Sequence, residues 1–254
     1  SYSHLKVMSQ RIKGLFLKAT KLNHLSTIVE LYTQQHGRAS FIFSRAPKKN
    51  TSFLFQPCHF IEFSCSYNNE KKINRGSKPE LIFPIIDIIS DIRKTGYAIL
   101  LTEILNKVIH KEDKNEVFFL ALKKMILSFE EQHFNSVFGI FFLKELLIYF
   151  GIQPMNNYSS KSPFFLVSEG RFSSESDPSL VDNFPYNSFH QLLGTNIDNI
   201  FSFKINTVNR RLIMELLLRY MFYYDLINTD KLNSIKILQS IYCLLYTSPS
   251  PRDI

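Results

Sequence analysis

Basic and aromatic side chains interleaved over the first eighty residues carry the strongest chemical signal in this sequence. Lys18 and Lys21 are followed by Arg38, by Arg45 with Lys48 and Lys49, and then by Lys71, Lys72, Arg75 and Lys78. Phe41, Phe43, Phe53 and Phe55 fall among them. A positive groove with aromatic platforms is how small barrels hold single strands: cations take the phosphates, and each stacked base contributes about 1–3 kcal/mol. If about five of these cations touch phosphate, log K falls with log salt at a slope near −3.5. Some of the same Phe side chains must fill a core, and alternation leaves open which ones.

The charge distribution points the same way. From Ser1 to Ile82 there are 13 Lys/Arg against 4 Asp/Glu, whereas Phe83–Ile254 has 17 against 18. The net +8 of the chain therefore originates in the first third. Such asymmetry fits a polyanion partner, nucleic acid ahead of anionic lipid, and it also fits a solvated basic face without a ligand.

Residues for bond-making chemistry do not assemble. The seven histidines (His4, His24, His36, His59, His110, His133, His190) form no HExxH or HxH pair. Cys58 and His59 are adjacent, but neighbours on a strand point to opposite faces. No GxGxxG, GxxxxGK[ST] or GxSxG is present. Asp87 and Asp91 share a helical spacing, yet a third metal ligand is missing, which leaves capping or solvation as their use. The expectation is a protein that is not an enzyme, with no catalytic residue, no metal, no cofactor and no small-molecule substrate. Three cysteines without a CxxC pair give no disulfide framework, which fits a reducing, cytoplasmic setting. No apolar run approaches the roughly 20 residues of a membrane span, and no secretory signal is visible.

Two kinds of element must position these residues. Ile12–Lys18, Ser26–Thr33, Arg38–Arg45 and Pro57–Tyr67 read as strands, with Gln34–Gly37 as a turn and a final short strand around Leu81. Pro47–Ser52 reads as a basic loop and Asn68–Pro79 as a polar, basic stretch. About five strands in some 70 residues suit an OB-fold barrel. After Pro84 the period changes from two to about 3.6. Ser90–Ile109 reads as a helix capped by Ser90 or Asp91, followed by helices over Asn115–Glu131 and Phe134–Phe150, the last stopped by Gly151 and Pro154. Asn156–Asp182 reads as irregular, Asn206–Asn228 as a long helix and Asp230–Tyr242 as a closing one. The fold class expected is thus α+β, an N-terminal OB-fold β-barrel followed by an all-α C-terminal domain. The boundaries are residues 1–8 as an upstream segment, 9–82 as a nucleic-acid-binding barrel and 83–242 as a helical domain. Residues 243–254 form a separate tail, because Cys243–Asp253 matches the translation of a widely used transposase sequencing adapter over eleven codons, and it is read as non-native.

Several segments resemble the RecO family in order and spacing. Gly14-Leu-Phe-Leu-Lys18, Ile28–Thr33 with Gly37-Arg-Ala-Ser40, and Phe55-Gln-Pro57 are similar to its barrel landmarks. Asp91-Ile-Arg-Lys94 with Glu103-Ile-Leu105 resembles its first C-terminal helix. Asn157-Tyr-Ser159, Glu169-Gly-Arg-Phe172, Asn209-Arg-Arg211 and Tyr223-Tyr224 resemble the branch found in Bacteroidetes. The similarity spans nearly all of residues 9–242. It implies a mediator of recombinational repair in the cytoplasm, associated with the nucleoid. Such a protein binds and anneals single- and double-stranded DNA and acts with the single-strand DNA-binding protein and RecR to load the RecA recombinase. It also implies a cation-rimmed groove in the helical domain for the acidic tail of the single-strand DNA-binding protein, with Arg210, Arg211 or Arg219 as rim or as structural salt-bridge partners. Many members carry a four-cysteine zinc site after the third C-terminal helix, but here that region reads Asn156-Asn-Tyr-Ser159, so no zinc is expected. The competing reading is a general OB-fold module for RNA or protein without a repair role.

Overall fold

A computed structural model describes residues 9–44, 52–111 and 113–227. These fall into two compact units, one reaching Glu130 and the other beginning at Glu131. Arg45, Lys48 and Lys49, the helix expected over Asp230–Tyr242, and the segments 1–8 and 243–254 lie outside the described residues.

The first unit opens with β1 (Gln10–Asn23), β2 (Ser26–Thr33), β3 (Gly37–Ser44), β4 (Phe60–Cys65) and β5 (Asn74–Leu81). They close into a barrel in the order β1-β2-β3-β5-β4, with β4 returning to β1. All pairings are antiparallel except β3 with β5, the Greek-key arrangement of an OB-fold. β1 is longer than its sequence pattern announces because one strand serves two partners. Gln10–Leu15 pairs with β4 and Gly14–Asn23 with β2, with a bulge between Phe16 and Lys18 that lets the strand bend around the barrel. The β2–β3 turn needs Gly37, whose φ is +64° and where a Cβ would lie 2.3 Å from the Asp113 carbonyl oxygen.

The final strand, expected only around Leu81, reaches back through the polar, basic stretch Asn68–Pro79 as far as Asn74. Its inward positions are Asn74 and Gly76, not large apolar residues, so alternation is hard to see. Asn74 is buried and pairs with the Asn68 backbone in both directions, at 2.9 and 3.1 Å. A Cβ on residue 76 would fall 2.4 Å from the Phe43 ring. The barrel interior is filled by Ile12, Phe16, Val29, Leu31, Phe41, Phe43, Phe55 and Phe63, among others. Phe41 and Phe43 both meet the Phe63 ring edge-on, with centroids 4.7 and 5.1 Å apart. Of the four interleaved Phe side chains, Phe41, Phe43 and Phe55 are therefore core, and only Phe53 is exposed.

Three helices follow in this unit: α1 (Asp87–Ser90), α2 (Ile92–Val108) and α3 (Glu116–Glu131). Asp91 is the N-cap of α2, accepting from the Arg93 N–H at 2.8 Å. Glu130 accepts from the backbone N–H groups of Ile86, Asp87 and Ile88 at 2.7–2.9 Å. The fully buried Lys94 is held by Asp87, by the Glu130 carbonyl at 3.1 Å and by the Phe129 ring at 5.4 Å. Tyr32 of β2 turns away from the barrel interior to pack on Phe118 and Phe119, and its hydroxyl donates to the Asn115 carbonyl at 2.9 Å.

Arg38 of β3 fastens the end of α2 to the barrel. Its guanidinium donates to the Asn106 and Ile109 carbonyls at 2.6 and 2.7 Å, to the Asn106 side chain at 2.7 Å, and to Glu30 of β2 at 3.0 Å through Nε. A helix C-terminus leaves its last carbonyls without intrahelical donors, and a cation there answers both the missing hydrogen bonds and the helix dipole.

The second unit contains α4 (Val137–Tyr149), the hairpin β6 (Phe164–Leu166) with β7 (Arg171–Ser173), α5 (Tyr186–Leu193) and α6 (Thr207–Tyr223). α4 is apolar nearly all round and is buried, as its composition demands. Its Lys144 reaches the Thr195 carbonyl at 2.8 Å and lies over the Phe141 ring. The hairpin interrupts the stretch expected to be irregular. It is held by Asn157, whose amide donates to the Phe172 carbonyl at 2.9 Å and accepts from the Phe172 N–H at 2.8 Å. Tyr158 stands edge-on to Phe172 and stacks on His190, whose Nδ1 donates to Asn156 Oδ1 at 2.6 Å. Phe165, Phe172 and Phe189 complete an aromatic core beneath it.

Two expectations follow. Arg38→Met leaves Glu30 and two helix-end carbonyls without their donor in a half-buried setting, and costs about 2–3 kcal/mol in urea unfolding; a loss near zero would mean that the junction is not a stabilising contact. Asn157→Ala removes both bonds to the β7 backbone and costs about 2 kcal/mol, with hydrogen exchange speeding first at Phe172.

Candidate nucleic-acid interface

Carboxylates in the barrel are few, and two arginines use most of them. Arg11 on β1 lies between Glu62 and Glu80, 2.9 Å from the former, and these neighbours push its pKa up. Arg38 takes Glu30. Glu70 alone of the barrel's four carboxylates, Glu30, Glu62, Glu70 and Glu80, is left outside these pairs. Lys18, Lys21, Lys71, Lys72 and Lys78 are exposed, and none forms an ion pair among the described residues.

Strand register places several of these cations on one surface. Arg75 on β5 is opposite Ile42 of β3, which is opposite Ile28 of β2, which is opposite Thr20 of β1. One row along, Lys18 lies opposite Glu30, and Glu30 opposite Ser40. Both rows face outward, since the intervening Val29, Phe41 and Phe43 are buried inside. Arg75 also donates to the Ser44 hydroxyl at 3.2 Å. Lys21 belongs to the alternate, inward row, but at the far end of β1 it has run past the core and is exposed beside Leu22 and Leu25. Lys71 and Lys72 sit on the loop between β4 and β5. The face of the second and third strands, with the loops joining strands one to two and four to five, is where OB-folds take oligonucleotides.

Beside β3 the β4–β5 loop forms an open cleft of about 380 Å³, lined by Lys71, Lys72 and also Lys111. The His36 and Tyr67 rings stack over it at 3.7 Å. Burial, with Lys114 nearby, pushes the His36 pKa down, so it adds an aromatic surface and not a charge at neutral pH. Sequence reasoning missed Lys111 and this stacked pair, because they come from segments distant in the chain and no spacing rule links them.

Of the expected strand-binding residues, Lys18, Lys21, Lys71, Lys72 and Arg75 are thus free to meet an anion from outside. Arg38 is committed to Glu30 and the end of α2, and it borders the cleft only as part of its wall. In the second unit the three arginines of α6 do not converge. Arg219 donates to the Ser179 carbonyl, while Arg211 faces Glu215 at 3.7 Å on an exposed surface. Arg210 also lies on α6 and is half-buried. No three His, Cys, Asp or Glu side chains come together among the described residues. The Asn156–Ser159 segment does not suit a zinc ion, since its amides and His190 are already paired with each other and with Phe172. No described helix is long and apolar enough to cross a membrane.

Comparison with known proteins agrees with this architecture. Residues 8–85 match the family described as Recombination protein O N terminal, and residues 89–225 match Recombination protein O C terminal. The DNA repair protein RecO of Flavobacterium psychrophilum is 26% identical over 239 residues, covering 92% of this chain and all of the relative. That of Bacteroides fragilis is 26% identical over 242 residues with the same coverage. The Phocaeicola vulgatus protein of the same name is 29% identical over 163 residues, 62% of this chain and 67% of the relative. With matches across both halves of the chain and a closed OB barrel ahead of a helical region, this protein belongs to the RecO family of DNA repair and recombination proteins.

Proposed function

We propose that this protein binds and anneals DNA strands through the outer face of its barrel and acts as a mediator, not as a catalyst of bond-making. The observation that carries this reading is the pairing of three barrel carboxylates by two arginines, which leaves Lys18, Lys21, Lys71, Lys72 and Arg75 available to phosphate. Stacking would come from the His36–Tyr67 pair and from the exposed apolar side chains near the strand ends, since Phe41, Phe43 and Phe55 are core. The functional division is at about residue 82, with strand binding before it and partner docking after it. Through the helical region the protein would meet the single-strand DNA-binding protein and RecR during loading of the RecA recombinase. Arg211, which is exposed and faces only Glu215 at 3.7 Å, is then the first candidate for an acidic partner. Its place of work would be the cytoplasm, at the nucleoid.

Annealing of complementary strands coated with single-strand DNA-binding protein tests the assignment: acceleration is expected, and its absence together with intact RNA or protein binding would favour a general OB-fold module. Replacing Lys71, Lys72 and Arg75 by Ala together should weaken single-strand binding and flatten its log K against log salt slope by about 2, or 0.7 per lost phosphate contact. Arg38→Met removes no phosphate contact but uncovers Glu30 beside Lys18, and should flatten that slope by no more than one contact, about 0.7. Equal slopes for wild type and the triple variant would place the phosphate path elsewhere.

A further inference from the structure

The hairpin joining β1 to β2 carries apolar side chains where the fold has no use for them. Every residue from Lys18 to Leu25 is exposed, including Ala19 and Lys21 of the inward row, so this end of β1 lies past the barrel core. Leu22 and Leu25 are 57% and 67% exposed. Leu22 falls at a register shift: Lys21 pairs with Thr27 and Asn23 with Ser26, which leaves Leu22 between the pairs as a bulge. His24 and Leu25 make the two-residue turn, and the Asn23 side chain closes it by accepting from the Leu25 N–H at 2.8 Å. Turns of this length favour Gly, Asn or Asp at such positions. A leucine there serves neither the turn nor the core, and departures of this kind concentrate where a protein meets a ligand.

The charges around the two leucines identify what they meet. Lys18 and Lys21 precede them, and residues 18–28 contain no Asp or Glu. The first carboxylate of β2, Glu30, is taken by Arg38. Thr20 starts the outward row that runs through Ile28 and Ile42 to Arg75. From Thr20 to Asn23 at the turn is three residues of extended strand, about 10 Å. The tip is therefore one edge of the cationic face, and an occupant that touches both is a polyanion with apolar surface. Nucleic acid has both, its apolar surface being the faces of its bases. A flat ring suits a single splayed base, whereas aliphatic side chains are the wedges that enter between stacked base pairs. Two leucines beside a single-strand path match the place where that strand runs into a duplex. There the last base step is held by duplex on one side only and costs least to open.

We propose that Leu22 and Leu25 wedge open the last base step at a junction of single strand and duplex while the tail lies on the cationic face, an inference that rests on the strand-binding reading above. The full chain is titrated with a tailed duplex carrying 2-aminopurine in its last base pair, and with one carrying it in the middle of the duplex. Binding should raise the fluorescence several-fold at the junction, where unstacking relieves its quenching, and leave the internal probe unchanged. Replacing both residues, Leu22→Ser and Leu25→Ser, should abolish the rise while keeping the salt slope of single-strand binding, since no cation is lost. Wild-type binding of the tailed duplex without a rise at the junction would overturn the wedge and leave strand binding standing. Absence of single-strand binding by the wild type would overturn both. Capture of phosphatidylglycerol vesicles by the wild type and not by the serine variant, with the same rise at the junction in both, would overturn the wedge by giving the tip to a lipid surface.

Discussion

One guanidinium joins the two secondary-structure regimes of the first unit. Arg38 stands on a barrel strand and spends its donors on the last carbonyls of α2 and on Glu30 of the adjacent strand. Without it, the end of a 17-residue helix would present unpaired carbonyls and an uncompensated negative dipole to a half-buried interface. The next residue back is Gly37, whose positive φ and close approach to the Asp113 carbonyl bring the turn against the chain that leaves α2. Tyr32, the strand partner of Arg38, continues the same contact onto α3. A lysine at position 38 could neutralise Glu30, but its single ammonium could not reach both carbonyls in the planar fork that arginine offers.

That junction also shapes the electrostatics of the opposite purpose. By taking Glu30, Arg38 removes a carboxylate from the outward face of β2, next to Lys18 in the register. Arg11 does the same for Glu62 and Glu80 on the β4 and β5 side. An arginine that looks like a ligand for phosphate therefore raises the local positive potential indirectly, by neutralising the nearest competitor. The surplus of cations is large because the acidic groups are few and three of the four are already engaged.

The fold was largely legible because hydrophobic period is a direct record of burial. β2 coincides with the expected Ser26–Thr33 strand, and α2, α3 and α4 begin within a few residues of their expected caps. β5 was foreseen only at its Leu81 end, because a buried Asn and a Gly occupy its earlier inward positions, each for a local reason: backbone pairing with Asn68 and clearance for Phe43. The site was legible only as charge. Sequence gives the sign and density of cations but not their commitments, so Arg38 and Lys71 read alike, although one is tied into the fold and the other faces solvent. The interleaved Phe residues failed for the same reason, since an aromatic in a barrel strand serves the core or the ligand according to parity, and parity needs the register. Partners brought together from far apart, such as His36 with Tyr67 and Lys111 with Lys71, leave no mark in spacing at all.

The segment between α4 and the β6–β7 hairpin is held by side chains that share partners. Here the side chain of Asn157 takes both backbone groups of Phe172, as a paired strand would, and so fixes the register of β7. Tyr158 then fills the space between Phe172 and His190, and Asn156 holds the imidazole from the side. Gly170, with φ of +64°, allows the hairpin to turn where a Cβ would strike the Tyr220 hydroxyl 2.4 Å away. Each contact is weak by itself, but they share atoms and geometry. Phe172 is held by Asn157 through its backbone and by Tyr158, Phe165 and Phe189 through its ring. Coupled contacts of this sort fail together, because loosening Phe172 removes its backbone partner and its ring partners at once.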